Sequence, residues 1–132
     1  MDKDFNTWNF QKQKLHLSDN SIIFYEREVW WTRVGVNVGV EIDGKNRFFL
    51  RPVIIIRKFN RDMALVIPTT TKNKANKFYL DTAGENERGY RACLSQIRVM
   101  SAKRLVRKTG KIKKEDYSKL LNKVAQMMYG VL

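Results

Sequence analysis

The feature that most constrains the fold is a run of β-branched residues in the middle of the chain, Pro52-Val53-Ile54-Ile55-Ile56. A continuous run of this kind is typical of a strand that is buried on both faces, so we expect it at the centre of a sheet. Because proline lacks an amide hydrogen, Pro52 is predicted to be the first residue of that strand. The run is far shorter than the roughly 20 apolar residues that cross a membrane, and no membrane partner is expected.

Other segments of the chain are also typical of strands. Four stretches rich in β-branched and aromatic residues predict them, at 29–34, 63–67, 77–80 and 91–99. Polar or glycine-containing segments predict the loops between strands, at 35–46, 60–62 and 82–89. Five or six short strands within 132 residues predict a single small barrel or curled antiparallel sheet.

Both ends of the chain are predicted to be helical. Phe5, Trp8 and Leu15, with the aliphatic stem of Lys12, recur at helical spacing and predict a short amphipathic helix. We expect residues 1–26 to form an N-terminal helical arm and linker that docks onto a domain formed by residues 27–132. A second apolar stripe predicts a C-terminal helix packed on the sheet, through Tyr117, Leu120, Leu121, Val124, Met128 and Val131. The predicted class is therefore mainly β with α.

The charge of the chain points to a polyanionic partner. Lys and Arg total 26 against 13 Asp and Glu, which gives a formal net charge of +13. Residues 98–123 alone contain ten basic and two acidic side chains, whereas a solvated helix face usually mixes both signs. Nucleic acid, an acidic protein or an anionic membrane fits this excess, and of these nucleic acid and an acidic protein are the expected partners. The N-terminus lacks the pattern of a signal peptide, so a cytoplasmic location is expected.

The inventory of reactive residues excludes several kinds of site. One cysteine and one histidine cannot provide a zinc site or an internal disulfide. Cys93 lies in an apolar stretch that is typical of an inert core thiol. Residues 39–46 approach the phosphate-loop pattern, but Asn46 stands where that motif needs Ser or Thr for magnesium. The sequence therefore predicts no metal and no cofactor.

Two short segments could bind phosphate groups. Arg51 directly precedes the central strand, where its planar guanidinium could meet a phosphate with two N–H groups, although a surface ion pair is the commoner role. Thr69, Thr70 and Thr71 end the next strand and are followed by Lys72 and Lys74. Their hydroxyls could donate to phosphate oxygens, or could simply suit an edge strand.

A third segment, residues 95–98, places polar side chains in a predicted strand. Gln96 could pair with a base edge, and Arg98 could stack on a base or bind phosphate. From the local pattern alone, satisfaction of neighbouring structural groups is the default role of both side chains, and the RNA-binding role is the alternative.

Taken in order, six segments of the sequence resemble the MazF/PemK toxins of type II toxin–antitoxin systems, over about residues 27–124. They are Glu28-Val-Trp-Trp31, Gly35 to Gly39 with Glu41, Arg51-Pro52-Val-Ile-Ile, Pro68-Thr-Thr70, Ser95-Gln96-Ile-Arg98, and Lys103-Arg104-Leu105 with Gly110. No single segment is specific, but their shared order and spacing are.

The resemblance implies an SH3-like barrel, a homodimer, and metal-independent cleavage of single-stranded RNA, commonly mRNA. It implies a catalytic role for Arg51, an assisting role for Thr70, and a place for Glu41 in a mobile loop beside the site. It also implies that Gln96 lines the RNA groove. The family is inhibited by a small antitoxin, so an acidic antitoxin is the expected protein partner.

The sequence departs from the family pattern in two places. Plasmid-type members have an arginine and an aspartate where this chain has Cys93 and Ser95, so that acid–base assignment does not transfer. The loop between Glu41 and Arg51 is also longer than in the compact members, and residues 1–26 have no counterpart in them. His16 could serve as the catalytic base only if this arm folds over the site. Two other functions are alternatives to RNA cleavage. One is a non-catalytic toxin of the same barrel fold, which binds a protein such as gyrase through the C-terminal helix. The other is a simple RNA-binding module.

Overall fold

The computed structural model describes residues 2–19, 22–73 and 76–132. In these ranges it contains two α-helices and seven strands. In chain order they are α1 (Phe5–Leu17), β1 (Glu28–Arg33), β2 (Leu50–Asn60), β3 (Met63–Thr70), β4 (Tyr79–Ala83), β5 (Gly89–Cys93), β6 (Arg98–Ser101), β7 (Leu105–Lys111) and α2 (Lys114–Tyr129). Two 3₁₀ turns, Leu94–Gln96 and Ala102–Arg104, flank β6.

The strands form an antiparallel sheet that curls into a small barrel. Their order is β4-β5-β3-β2-β1-β7, and β6 pairs with the first half of β3. The second half of β3 turns away to pair with β5. A bridge between Gly84 and Ile112 then joins the two edges of the sheet, since Gly84 follows β4 and Ile112 follows β7. The predicted fold, mainly β with a C-terminal helix and an N-terminal helix, is confirmed.

The central strand β2 is buried on both faces, as the sequence predicts. Val53 and Ile55 pack with Trp30 on one side, whereas Ile54 and Ile56 face the other side. The prediction that Pro52 begins the strand is wrong, because Pro52 is its third residue and lies opposite Trp31. The proline is tolerated there because the β2–β3 ladder begins only at Val53, one residue later.

The segment 91–99, predicted as one strand, is divided in the structure. The 3₁₀ turn Leu94–Gln96 separates β5 from β6, so Ser95 and Gln96 do not lie in a strand. The strand β7 was not predicted at all. Its sequence is dominated by Arg107, Lys108 and Gly110, which lack the apolar alternation of a half-buried strand. It forms because pairing with β1 satisfies its backbone.

The C-terminal helix α2 covers one face of the barrel. Leu120 is fully buried against this face, with Tyr117, Val124 and Met127 beside it. The predicted stripe is therefore only partly correct, since Leu121 and Met128 are exposed and Val131 lies beyond the helix. Glu115 and Asp116 occupy the first turn, as predicted.

The N-terminal helix α1 docks on the long segment between β1 and β2, residues 34–49. Trp8 and Leu15 are buried there with Val36 and Phe49, and the Trp8 and Phe49 ring centroids are 5.6 Å apart. Gly35 makes this contact possible, because a Cβ atom on it would lie 2.1 Å from the Trp8 ring. Neither α1 nor α2, the helices in the described ranges, is long and apolar enough to cross a membrane.

Candidate active site

The side chain of Arg51 is held at the start of β2 by two backbone carbonyl groups. Its Nε atom donates to the Asp43 oxygen at 2.7 Å, and one terminal nitrogen donates to the Thr69 oxygen at 2.9 Å. Arg51 is 9% exposed, and this burial is the main cause that lowers the pKa of its guanidinium. Electrostatic interactions with Cys93 and then Asp43 oppose that lowering of the Arg51 pKa.

Arg51 forms no ion pair with a carboxylate among the described residues. Two of its five N–H groups donate to the carbonyls, which leaves three without a partner in that part of the chain. A buried cation without a counter-ion is costly, because its desolvation is not offset by a paired charge. An anionic group placed against the remaining N–H groups would remove that cost.

Two cavities meet at Arg51. The loop-side cavity, of about 400 Å³, lies under the β1–β2 segment and includes Glu41, Lys72, Tyr79 and Gln96. The strand-side cavity, of about 270 Å³, includes Trp31, Tyr90, Arg88 and Arg91. Three residues line both cavities: Lys45, Arg51 and Thr70. The shared residues form a narrow junction at which a guanidinium, a hydroxyl and an ammonium converge.

The three threonines at the end of β3 have different environments. The Thr69 hydroxyl is buried and donates to the Pro52 oxygen at 2.9 Å, so its carbonyl and side chain both hold the site together. The Thr70 hydroxyl is partly exposed and accepts from the Lys72 amide at 3.2 Å. Its hydrogen therefore stays available to a ligand. Thr71 is exposed and lies 3.4 Å from the Lys45 ammonium.

Glu41 lies on the exposed part of the β1–β2 segment. Its carboxylate accepts from the Val38 amide at 2.8 Å, which closes a tight turn, and the residue lines the loop-side cavity. Gln96 joins this segment to the barrel. Its side-chain oxygen accepts from the Ile42 amide at 3.0 Å, and its nitrogen lies 3.4 Å from the Val40 oxygen. The structure thus gives Gln96 a backbone partner, which is one of the two roles that the sequence pattern left open.

Two other basic candidates are placed differently. Arg98 lies on β6 opposite Val66 and, in the described part of the chain, lines neither cavity. Its charge instead contributes, after burial, to the lowered pKa of Arg104. Lys72 is exposed at the rim of the loop-side cavity, and Lys74 lies outside the described residues.

His16 is on α1, away from Arg51. Its carbonyl oxygen accepts from the Lys103 ammonium at 2.6 Å, and the residue lines a separate depression with Lys12 and Ser101. A role for His16 at the junction would need α1 to leave its docked position.

The described residues do not form a candidate metal centre. Across residues 2–19, 22–73 and 76–132, no group of three or more His, Cys, Asp or Glu side chains could hold a metal ion. The junction is built instead from cationic and hydroxyl groups, which are the protein ligands of phosphate oxygens.

A comparison with known protein families identifies the family of the chain. The sequence profile described as the PemK-like, MazF-like toxin of type II toxin–antitoxin systems matches residues 25–128. The chain belongs to this toxin family. The matched range contains the whole barrel, Arg51 and Thr70, and begins after α1. The resemblance stated from the sequence is thereby confirmed.

A solved structure has the same fold as this PemK-like protein. It is described as an endoribonuclease in complex with its cognate antitoxin from Mycobacterial species. The two folds superpose with a TM-score of 0.63 at 11% sequence identity, over 81% of this chain and 96% of that chain. A comparison with curated protein sequences found no match.

Several charged residues that line the strand-side cavity of this PemK-like protein were not predicted from the sequence. Lys45 comes from the β1–β2 segment, Arg88 from the turn before β5, and Arg91 from β5 itself. Arg91 is held by Asp81 at 2.6 Å and by the Lys72 oxygen at 2.8 Å. No acidic residue is among the described residues that line the strand-side cavity. The sequence shows two arginines close together, Arg88 and Arg91, but not that they lie near Arg51. Strand pairing places them in the same cavity, since Arg91 lies opposite Thr70.

Proposed function

We propose that this PemK-like protein is a toxin endoribonuclease that cleaves single-stranded RNA, such as mRNA, without a metal ion. The observation that carries the proposal is Arg51, a buried guanidinium with no carboxylate partner in the described ranges and three remaining N–H groups at the junction of two cavities. The structural neighbour is named as an endoribonuclease, which supports the same class of activity.

The proposed reaction uses the RNA's own 2′-hydroxyl as the nucleophile. Its oxygen attacks the adjacent phosphorus and its proton passes to a base, while the bond from phosphorus to the 5′-oxygen breaks and that oxygen takes up a proton from water. The products are a 2′,3′-cyclic phosphate and a 5′-hydroxyl. The crowded phosphorane carries additional negative charge, which fixed N–H donors stabilise more in the transition state than in the ground state.

Three side chains are proposed to act in this reaction. Arg51 stabilises the phosphorane, because its orientation is already set by the Asp43 and Thr69 carbonyls. Thr70 donates its hydroxyl hydrogen to a phosphate oxygen. Glu41 and Asp43 are the acidic residues that line the loop-side cavity, and the Asp43 carboxylate is already bound by Lys3 and the Asn37 amide. We therefore assign the role of base to Glu41.

The RNA contacts are proposed to extend along both cavities from this junction. Thr71, Lys72 and Lys45 border it from the β3 end and the β1–β2 segment. Thr69 contributes by fixing Arg51, and Gln96 by fixing the segment that carries Glu41. RNA contacts of Arg98 and Lys74 stay predictions of the sequence.

The proposed protein partners are an acidic antitoxin and a second copy of the chain. The net charge of +13 favours an acidic protein, and the structural neighbour is described in complex with its cognate antitoxin. The homodimer rests on the family resemblance and is tested by light scattering. We also propose that residues 1–26 are an arm added to a barrel domain of residues 27–132.

The test is incubation of the purified protein with a pool of single-stranded RNAs, with EDTA and with magnesium, followed by mapping of the new ends. Cleavage that is equal in both buffers and leaves cyclic phosphate and 5′-hydroxyl ends supports the proposal. Cleavage that needs magnesium, or that leaves 5′-phosphate ends, contradicts it. No cleavage by a folded, dimeric protein would favour the alternative of a toxin that binds a protein target.

A further inference from the structure

The segment between β1 and β2 determines where Arg51 points, because the Asp43 carbonyl in this segment accepts from the Arg51 Nε atom at 2.7 Å. The other carbonyl on Arg51 belongs to Thr69 in the rigid strand β3. A displacement of residues 37–45 would therefore remove one of the two contacts that orient the guanidinium. A contact that fixes this segment therefore also helps to orient the Arg51 guanidinium.

Asp43 is itself fixed through its side chain. One carboxylate oxygen accepts from the Asn37 amide at 2.7 Å, and the other lies 3.1 Å from the ammonium of Lys3. The same ammonium donates to the Asn37 oxygen at 2.6 Å and to the Gly39 oxygen at 3.0 Å. All three donors of Lys3 are thus directed at a single turn of the β1–β2 segment.

The contact is partly protected from water. The side chains of Lys3 and Asp43 are 15% and 26% exposed, so their attraction is screened less than that of a surface pair. Lys3 precedes α1, and α1 is anchored independently of it. The Trp8 ring is packed against Gly35 and Phe49, and Gln11 donates to the Arg47 oxygen at 3.0 Å.

We propose that Lys3 is a positioning residue, which holds the turn at residues 37–43 and thereby orients Arg51 through the Asp43 carbonyl. The arm at residues 1–26 would then be a part of the catalytic unit rather than an appendage. The catalytic half of this inference rests on the proposed function, whereas the contact between arm and loop does not.

The first test measures amide hydrogen exchange of residues 37–45 in Lys3→Ala and in wild type. Loss of charge-assisted hydrogen bonds should accelerate exchange in this segment about 10- to 100-fold. Lys12→Ala is the matched control, because it removes a lysine from the same arm at an exposed position and should leave the segment unchanged. Lys3→Arg keeps the cation and should restore most of the protection.

The second test measures single-turnover RNA cleavage by the same variants. Lys3→Ala should lower the rate about tenfold or more with little change in RNA affinity, since misplacement of a catalytic group affects the transition state. In an Arg51→Ala background the same change should cost clearly less than in wild type, because the part of its effect that passes through Arg51 is absent. The part that passes through Glu41, which lies on the same turn, should stay.

The outcomes separate the two proposals. Exchange and rate that match wild type in Lys3→Ala, or an equal loss of rate with and without Arg51, overturn the positioning role. If the wild-type protein does not cleave RNA, the proposed function fails, and the exchange measurement alone decides whether Lys3 holds the loop.

Discussion

The Nε atom of Arg51 and the carbonyl oxygen of Asp43 lie 2.7 Å apart, so a side chain at the start of β2 is oriented by a backbone atom eight residues earlier. This contact joins the rigid barrel to the β1–β2 segment. It explains how a buried guanidinium stays in place without a carboxylate partner among the described residues. The first prediction follows from it.

Replacement of Arg51 by alanine should lower the rate of RNA cleavage by on the order of 10²–10³, because a fixed donor to the phosphorane is lost. RNA affinity should change much less. Arg51→Lys should also be strongly impaired, since an ammonium lacks the planar set of donors that reaches both carbonyls and a phosphate. Single-turnover rates and filter binding measure the two quantities.

The matched control for Arg51 is Arg57→Ala on the same strand. Arg57 is exposed and pairs with Glu26 at 3.7 Å, outside both cavities. The Arg57→Ala variant loses the same charge as Arg51→Ala and should cleave RNA at nearly the wild-type rate. Equal losses of affinity and rate in Arg51→Ala would make Arg51 an anchor for RNA rather than a catalytic group.

Gln96 should act chiefly through the β1–β2 segment. Gln96→Ala removes the acceptor for the Ile42 amide, so exchange of that amide should accelerate by about tenfold. Gln96→Glu keeps an acceptor and should leave Ile42 protected, while its negative charge weakens RNA binding. Exchange measured by NMR and affinity measured separately distinguish anchoring from RNA contact. Unchanged exchange in Gln96→Ala would show that other contacts hold the segment.

Gly35 should be much less tolerant of substitution than Gly39. Gly35 has φ +82° and lies against Trp8, so Gly35→Ala combines backbone strain with overpacking and should cost about 2–5 kcal/mol of unfolding free energy. Gly39 has φ +57°, but a Cβ atom added to it would meet nothing within 4 Å beyond its chain neighbours, so Gly39→Ala should cost only about 1–2 kcal/mol. Urea denaturation measures both, and equal costs would mean that α1 does not pack on Gly35 in solution.

Tyr117 should make the fold sensitive to alkaline pH. Burial raises the pKa of its phenol, and the hydroxyl donates to the Ile56 oxygen at 2.6 Å. Since the folded-state pKa lies above the unfolded value of about 10, the contribution to stability is complete below pH 10. It is lost as the pH rises through the folded-state pKa.

Tyr117→Phe tests this linkage. At pH 7 the variant should be less stable by about 1 kcal/mol, because the Ile56 carbonyl loses its donor. Above pH 10 the difference between the two proteins should shrink. A constant difference across this range, measured by urea denaturation, would show that the phenol does not titrate with folding.

The local pattern was sufficient for the elements that are built from short-range preferences. The run at residues 52–56 predicts a doubly buried strand because β-branched side chains without alternation suit only that environment, and the structure places Ile54 and Ile55 in different clusters. The pattern failed for β7, whose formation depends on pairing with β1 rather than on its own side chains. It also failed at residues 94–96, where a 3₁₀ turn redirects the chain between two strands.

The sequence by itself therefore determined most of the barrel's strands, the two helices, the cationic excess and the identities of Arg51 and Thr70 as candidates. Only the tertiary structure decided which groups surround Arg51. Lys3 meets Asp43 across 40 positions, and Gln96 meets Ile42 across 54. Such contacts follow from strand order and from the docking of α1, which are properties of packing over the whole domain. A local pattern of residues carries no information on them.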